Sequence, residues 1–454
     1  MNIYIHTEVA ARELDSKLLL AVLAAEKGHQ VLVSSRDELA IGFKSGTLNP
    51  GIYHTKSLTP SVNKIKRHEE IVNNGFKITS IDEESGITAA KIDQFVKDRY
   101  SDKTIDQSSA VFTWGKSDLE ELNKNYPKHK SKIFKTGSPR VDLWKPFFFN
   151  YWAKPKGMPS KPFLLISSNL VCTNNKPFYE IIKFYNEWGY FKTNPNLFEF
   201  LFHEISEDYK KLYEFIVAIR YLSENNTDYD IVVRPHPSEN IEAWKTFLKG
   251  YANVYVIKED SITAWVKYAF AIMHNGCTTS IEAKVSGKPI ITYLPFEMKC
   301  AHSLPNTLGC LVKTKEELLV KANKFFNLKK NNQQKNDQIP ELINEKLYVD
   351  ENELAAKKIV KVWHSLNDKN LSKSNNWVKF YLLLNFLKFA KKFVKIFKIL
   401  SLNKINFFKD NQKYPPLNGV DINSRVIRLK DILGIKENIN CKILSERSIL
   451  IKKG

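Results

Sequence analysis

Short apolar runs separated by longer amphipathic stretches fill the first three quarters of the chain. NIYIHT opens it as a strand. ARELDSKLLLAVLAAEKG follows with apolar residues at helical spacing, and Gly28 supplies the stop, since a helix commonly ends on a residue in the left-handed region. HQVLVSS, FKITSI, SAVFTWG and SKIFKTG are further strands, each closing on a polar or Gly-containing loop. Strand and helix patterns in alternation predict a doubly wound, parallel sheet. The Pro- and aromatic-rich stretch SPRVDLWKPFFFNYWAKPKGMPSKP breaks the rhythm and places a boundary near residue 150. The pattern then resumes. PFLLISSNL, YDIVVRPHP, NVYVIKE, YAFAIMHNG and PIITYLP are strands; EDYKKLYEFIVAIRYLSE and ENELAAKKIVKVWHSL are helices. The expected organisation is a first α/β domain over 1–150, a second over 151–368, and a basic helical tail over 369–454. Two such domains facing a cleft bring ligands to the carboxyl ends of the strands.

Charge adds the tail to this picture. The 454 residues are enough for two or three domains, and 43% of them are hydrophobic, enough for a substantial core. Net charge is +20, and residues 368 to 454 hold 19 basic and 6 acidic residues, a net +13. Residues 375–409 contain eight Lys and no acid. Lys388, Lys391, Lys392, Lys395 and Lys398 share one helical face, and Phe389, Phe393, Ile396, Phe397 and Leu400 lie largely opposite. A basic amphipathic helix of this kind lies in a membrane interface. Its lysines recur too often for it to span a bilayer. The other reading is a helix packed on the protein itself. No recognised nucleic-acid motif accompanies the charge, so nucleic acid is not an expected partner. Cys172, Cys277, Cys300, Cys310 and Cys441 form no CxxC pair and no zinc-like Cys/His spacing. That usage suits a reducing cytoplasm. MNIYIHTEV enters a strand without the regions of a signal peptide. The expected location is cytoplasmic, peripheral on the inner face of the cytoplasmic membrane.

Two motifs carry the candidate chemistry. In VVRPHPSEN, Arg234 and His236 emerge from the end of an apolar strand between Pro235 and Pro237, which fix the backbone. Arginine is a bidentate partner for phosphate oxygens, and His236 can donate to a phosphate or a ribose hydroxyl. About forty residues on, HNGCTTS ends another strand of the same sheet. Asn275 and Gly276 allow a tight turn, and Thr278, Thr279 and Ser280 start a helix, where N–H groups and the dipole attract an anion. Alone, each motif is equally an ordinary capped helix or a solvated turn; together they read as half of a nucleotide-phosphate site. ISSN places Ser167, Ser168 and Asn169 on the same edge. Glu282 either accepts from ribose or base, or is an exposed helix acid. In the first domain, SIDEESG sets Asp82, Glu83 and Glu84 beyond a strand. Glu8 precedes a helix bearing Arg12 and Glu13. Arg140 either binds an anionic acceptor or pairs with Asp142. A classical dinucleotide or P-loop site is not expected: no GxGxxG follows the first strand, and there is no Walker A sequence.

RPHP with HNGCTTSIEAKVSGKPIITY resembles the second domain of bacterial surface-carbohydrate biosynthesis proteins. It also resembles the HP and Ser/Thr motifs of bacterial sialyltransferases and capsule Kdo transferases, which use CMP-sugars on a GT-B fold. EVAARELDSKLLLAVLAAEKGHQV, DEESG, FTWGKSD and TGSPRVDL resemble the same surface-carbohydrate family in order and spacing, so the likeness covers roughly residues 1 to 300. It implies two Rossmann-like domains of GT-B type, the second for the nucleotide-sugar donor and the first for the acceptor. Arg234, His236, Asn275, Gly276, Thr278, Thr279, Ser280, Glu282, Ser168 and Asn169 would hold the donor. Glu83, Glu84 or Glu8 would be the catalytic carboxylate, although Ser85 separates the acid pair from Gly86 and shifts the motif's register. Arg12 and Arg140 would meet the acceptor or the sugar carboxylate. The implied activity moves Kdo or another nonulosonic acid from CMP to a surface polysaccharide or lipid-linked glycan. No metal or cofactor is expected, because CMP leaves without a pyrophosphate to neutralise. Polymerising glycerophosphotransferases, which use CDP-glycerol, share a similar R-x-H-P and Ser/Thr-rich loop. A glycerophosphotransferase is therefore one alternative, and a non-catalytic membrane-bound scaffold with a nucleotide fold is another.

Overall fold

The computed structural model describes residues 1–87, 91–170, 177–297, 303–331, 339–367, 371, 373–400 and 414–454, with backbone alone at 193, 303 and 390–400. It forms two compact α/β units, the pair of which a GT-B-type chain is made. One comprises Met1–Leu143 and Pro340–Gly454; the other is Trp144–Ile339.

The first unit begins with six parallel strands: β1 (Asn2–His6), β2 (Gln30–Ser34), β3 (Ile52–Thr55), β4 (Lys77–Ile81), β5 (Ser108–Thr113) and β6 (Ile133–Lys135). The second unit carries another six: β7 (Phe163–Ser167), β8 (Asp230–Arg234), β9 (Val254–Val256), β10 (Ala271–His274), β11 (Ile290–Tyr293) and β12 (Cys310–Val312). These strands are short and apolar because helices cover both faces of a parallel sheet. All five residues of β1, β7 and β8 are buried. The chain then returns to the first unit and ends in a hairpin, β13 (Ile439–Ser445) and β14 (Ser448–Lys453).

In the second sheet the order is β12-β11-β10-β7-β8-β9. The chain runs outward from β7 through β8 to β9, then restarts on the other side at β10. The order therefore reverses beside β7, the position where open α/β sheets leave a crevice at the strand carboxyl ends. The first sheet, β13-β14-β2-β1-β3-β4-β5-β6, has the same kind of reversal at β1. Between β7 and β8 lie three aromatic-rich helices, Phe178–Glu187, Tyr190–Thr193 and Asn196–Glu224. Tyr179 and Phe200 on them, and Trp188 just after the first, are exposed.

The units are cut differently from the expected 1–150, 151–368 and 369–454. The closing helix, Ala355–Ser365, belongs to the first unit. Asp142 accepts hydrogen bonds from the Ala355 and Ala356 amides at its start, and Trp363 donates Nε1–H to Thr79 Oγ1 at 3.0 Å. Residues 369–454 are not a detachable tail either. β14 pairs antiparallel with β2, Ile449 opposite Val33 and Leu450 opposite Leu32, and extends the first sheet. An antiparallel edge strand on a parallel sheet is common. The basic helix is Trp377–Leu400. Its first turns have two apolar faces. Phe380 and Leu384 are buried in the core with Leu39, Leu48 and Tyr53. Val378, Leu382, Phe386 and Phe389 point the other way and are 60–70% exposed. The expected roles of Lys391, Lys392, Lys395, Lys398, Phe393, Ile396, Phe397 and Leu400, and the segment 401–409, lie outside the described side chains, as do Cys172 and Cys300. No helix among the described residues is long and apolar enough to cross a membrane.

Candidate functional site

In the second unit the ends of β10, β7 and β8 lie side by side and bring the RPHP, HNGCTTS and ISSN motifs together. Gly276 turns the chain out of β10 with φ +74°, a conformation that favours glycine. Asn275 is fixed by donating Nδ2–H to the Tyr293 carbonyl at 3.2 Å. Ser167 Oγ, Thr279 Oγ1 and Cys277 Sγ form a closed triangle of 3.2 Å contacts. Ser280 is fully buried and donates to the Cys277 carbonyl. Thr278, at the helix start, is exposed and makes no side-chain capping bond. Of the three hydroxyls, Thr278 is therefore the one open to a ligand. Glu282 is buried, not the exposed helix acid that was the other reading.

His236 is half-buried beyond β8, and its Nδ1 accepts from the Ser238 amide at 3.2 Å. That bond fixes a neutral ring with the proton on Nε2. Desolvation lowers its pKa, Glu239 raises it and Lys258 lowers it, for a net shift below the usual imidazole value. Arg234 does not serve as expected. Its guanidinium donates to the Glu259 and Asp260 carbonyls and stacks 5.5 Å from the Trp265 ring centroid. It fastens the loop after β9, and burial lowers its pKa to about 10 despite Asp260 and Glu259.

The residue that organises this edge is Glu239, which the motif reading passed over. Its carboxylate is buried and accepts from Ser168 Oγ, the Leu170 amide, the His236 amide and Trp244 Nε1, at 2.7–3.2 Å. A buried charge is tolerated when it is hydrogen-bonded in this way. Glu239 ties the loop carrying Ser168 and Asn169 to the loop carrying His236. Asn169 is half-buried within the first of these. A Glu three residues after the motif His was the available signal.

In the first unit the ends of β1, β3 and β4 gather a charged cluster. Glu83 is buried in an ion pair with Lys17, and the two side chains are 4% and 1% exposed. That pair removes Glu83 from the expected role of base, because a carboxylate sealed against a buried ammonium cannot meet an acceptor hydroxyl. Glu84 is open, with its side chain 45% exposed and Arg12 and Arg99 at 3.6 and 3.5 Å. Glu8 is also accessible, 2.5 Å from Lys56 Nζ. Arg12 bonds Glu13 at 3.2 Å. Burial pushes the Glu13 carboxyl up, but the Lys17 charge and the Glu8 amide pull it below its usual range. Asp82 is buried and held by Arg99 through two bonds of 2.8 and 2.9 Å; desolvation still raises its pKa. Arg140 donates to the Glu83 carbonyl at 2.9 Å and lies over Trp114. Asp142 is engaged with the Ala355–Ser365 helix. Asp118, another acid the sequence reading missed, caps the Trp114 and Gly115 amides and accepts from Ser85; burial raises its pKa to about 6. Among the described residues no group of three or more His, Cys, Asp or Glu is gathered closely enough to hold a metal ion.

No protein-family model matches the sequence, and no curated protein matches it. Solved structures are similar in fold. The UDP-GlcNAc 2-epimerase from Methanocaldococcus jannaschii is 14% identical over 80% of this chain and 99% of that one, with a TM-score of 0.47. The UDP-GlcNAc 2-epimerase from Neisseria meningitidis, solved with UDP-GlcNAc, is 12% identical over 80% and 100%, with a TM-score of 0.44. The wall teichoic acid polymerase TagF is 10% identical over 82% and 90%, with a TM-score of 0.44. With identities this low and TM-scores below 0.5, the chemistry has to be read from this chain's own residues.

Proposed function

We propose that the chain is a nucleotide-sugar-dependent transferase that moves Kdo or another nonulosonic acid from a CMP donor to a bacterial surface polysaccharide or lipid-linked glycan. The observation that carries this reading is the convergence of His236, Asn275–Thr278 and Ser168–Asn169 on three adjacent strand ends where the sheet order reverses. His236 Nε2–H donates to the donor phosphate, and the Thr278 hydroxyl adds a second bond. Glu239 holds both loops in place without touching the ligand. In the first unit Glu84 takes the proton of the acceptor hydroxyl, with Glu8 as the second candidate; Arg12 and Arg140 receive the anionic groups of acceptor or sugar. The exposed apolar row Val378, Leu382, Phe386 and Phe389, on a helix whose lysines suit anionic lipid, keeps the protein at the inner membrane surface.

Turnover decides between this reading and its alternatives. Purified protein is given CMP-Kdo or CDP-glycerol with a surface-glycan acceptor, and nucleotide release is followed. The proposal expects release of CMP from CMP-Kdo, cut at least ~10²-fold in Glu84→Gln, the scale of a lost general base. Turnover of CDP-glycerol alone would move the chain to glycerophosphate transfer. Turnover of neither, with nucleotide bound, would make it a scaffold.

A further inference from the structure

The helices Arg36–Lys44 and Val62–Asn73 leave between them a pocket of about 330 Å³ in the first unit. None of its lining residues belongs to the charged cluster at the strand ends. Its inner wall is apolar and aromatic. Tyr53, on β3, is buried; Phe43 packs edge-on against it at 5.6 Å and lies 4.5 Å from Phe76. Its outer wall is cationic. Arg36, Lys44 and Lys66 are exposed and Arg67 is half-buried, and Glu70 is the one acid among the lining residues. Arg36 also has Asp37 at 3.2 Å, an exposed pair that leaves most of its donors available.

Four cations against one acid, Glu70, leave the lining of this opening net positive. Arg36 spends one donor on Asp37. Arg67 Nε is buried and has no hydrogen-bond partner among the described residues. Both guanidinium charges are felt at the Tyr53 phenol, where Arg67 and Arg36 oppose the upward push of burial. Both arginines line the same pocket as the aromatic floor of Phe43, Tyr53 and Phe76. The volume lies at the small end of ligand sites, and guanidinium forks match phosphate oxygens.

We propose that this pocket binds a small amphiphilic anion, a phosphate monoester whose head lies on Arg36 and Arg67 and whose aromatic or short alkyl body lies on Phe43, Tyr53 and Phe76. It is a second ligand site, independent of the donor site. The probe is 1-naphthyl phosphate, titrated calorimetrically into the full chain, with 1-naphthol and inorganic phosphate as separate arms. One saturable site is expected for the ester, with both single-feature compounds at least about tenfold weaker. Arg67→Met and the exposed Arg36→Met should each weaken the ester about tenfold, the scale of a lost hydrogen bond to a charged group, and saturating CMP should leave its binding unchanged. The proposal is overturned if the ester shows no saturable binding, if either parent compound binds as tightly, if a folded Arg36→Met binds like the wild type, or if CMP displaces the ester.

Discussion

Glu83 and Glu84 are chain neighbours with opposite prospects. Glu83 is sealed against Lys17, so Glu83→Gln leaves the buried ammonium with only the Glu13 charge near it among the described residues and should cost up to about 3 kcal/mol of stability, read by urea denaturation. Glu84→Gln should leave that midpoint in place and lower turnover alone. If Glu83→Gln unfolds like the wild type, the ion pair is not structural and Glu83 returns as a candidate base. The sequence showed that an acid pair follows β4. It could not show which member is buried, because Lys17 lies far away on the Ala10–Glu26 helix. Glu239 was hidden for the same reason: its partners come from the loop after β7, the loop after β8 and Trp244. Glu239→Gln should weaken CMP binding at least ~tenfold without ligand contact, since the lost charge loosens bonds to both site loops. Equal CMP affinity in a folded variant would remove it from the site's support.

At the scale of elements, the alternation of apolar runs and amphipathic helices was legible because buried parallel strands carry a local signature. The short β3 was not, since IYHT includes a buried histidine. Neither was the hairpin β13–β14, whose pairing with β2 joins residues more than four hundred positions apart and looked like part of a basic tail. Removing everything beyond residue 370 would bare the β2 edge and strip Phe380 and Leu384 from the core. Such a truncation should be poorly soluble, and a monomeric, cooperatively folding product would contradict the assignment of the hairpin to the first sheet. The membrane reading is better tested on the exposed face of the Trp377–Leu400 helix. Leu382→Ser with Phe386→Ser should lower co-sedimentation with anionic vesicles while leaving the melting temperature within a few degrees. High salt should release the wild type only partly, because screening removes the lysine attraction but not the apolar burial. Unchanged partitioning of the double variant would end that reading.

The whole molecule buries several imidazoles in neutral form. Desolvation lowers His6 and His68 to about 3 and His29 and His274 to about 4, and pushes His54 well down. Their unfolded value is 6.5, so below that pH the unfolded chain takes up protons that the fold refuses, and stability falls as pH drops toward 4. Asp118, raised by burial to about 6, works in the opposite direction, as do Asp82, Glu204 and Asp230, also raised by burial, but the five histidines are shifted over the wider part of this range. Denaturant midpoints should therefore decline steadily from pH 7 to 5, and a flat profile would contradict the neutral histidine core. His236 shares the downward shift, which favours the neutral ring that accepts from the Ser238 amide. The proposed donor site stands on His236 and the strand ends around it. Its most direct test is a calorimetric titration of CMP into the wild type and His236→Ala at neutral pH. The expected result is one saturable site in the wild type, weakened by roughly 1.5–3 kcal/mol in the variant, about ten- to a hundredfold. Absence of CMP binding in the wild type, or equal affinity in a folded variant, would contradict it.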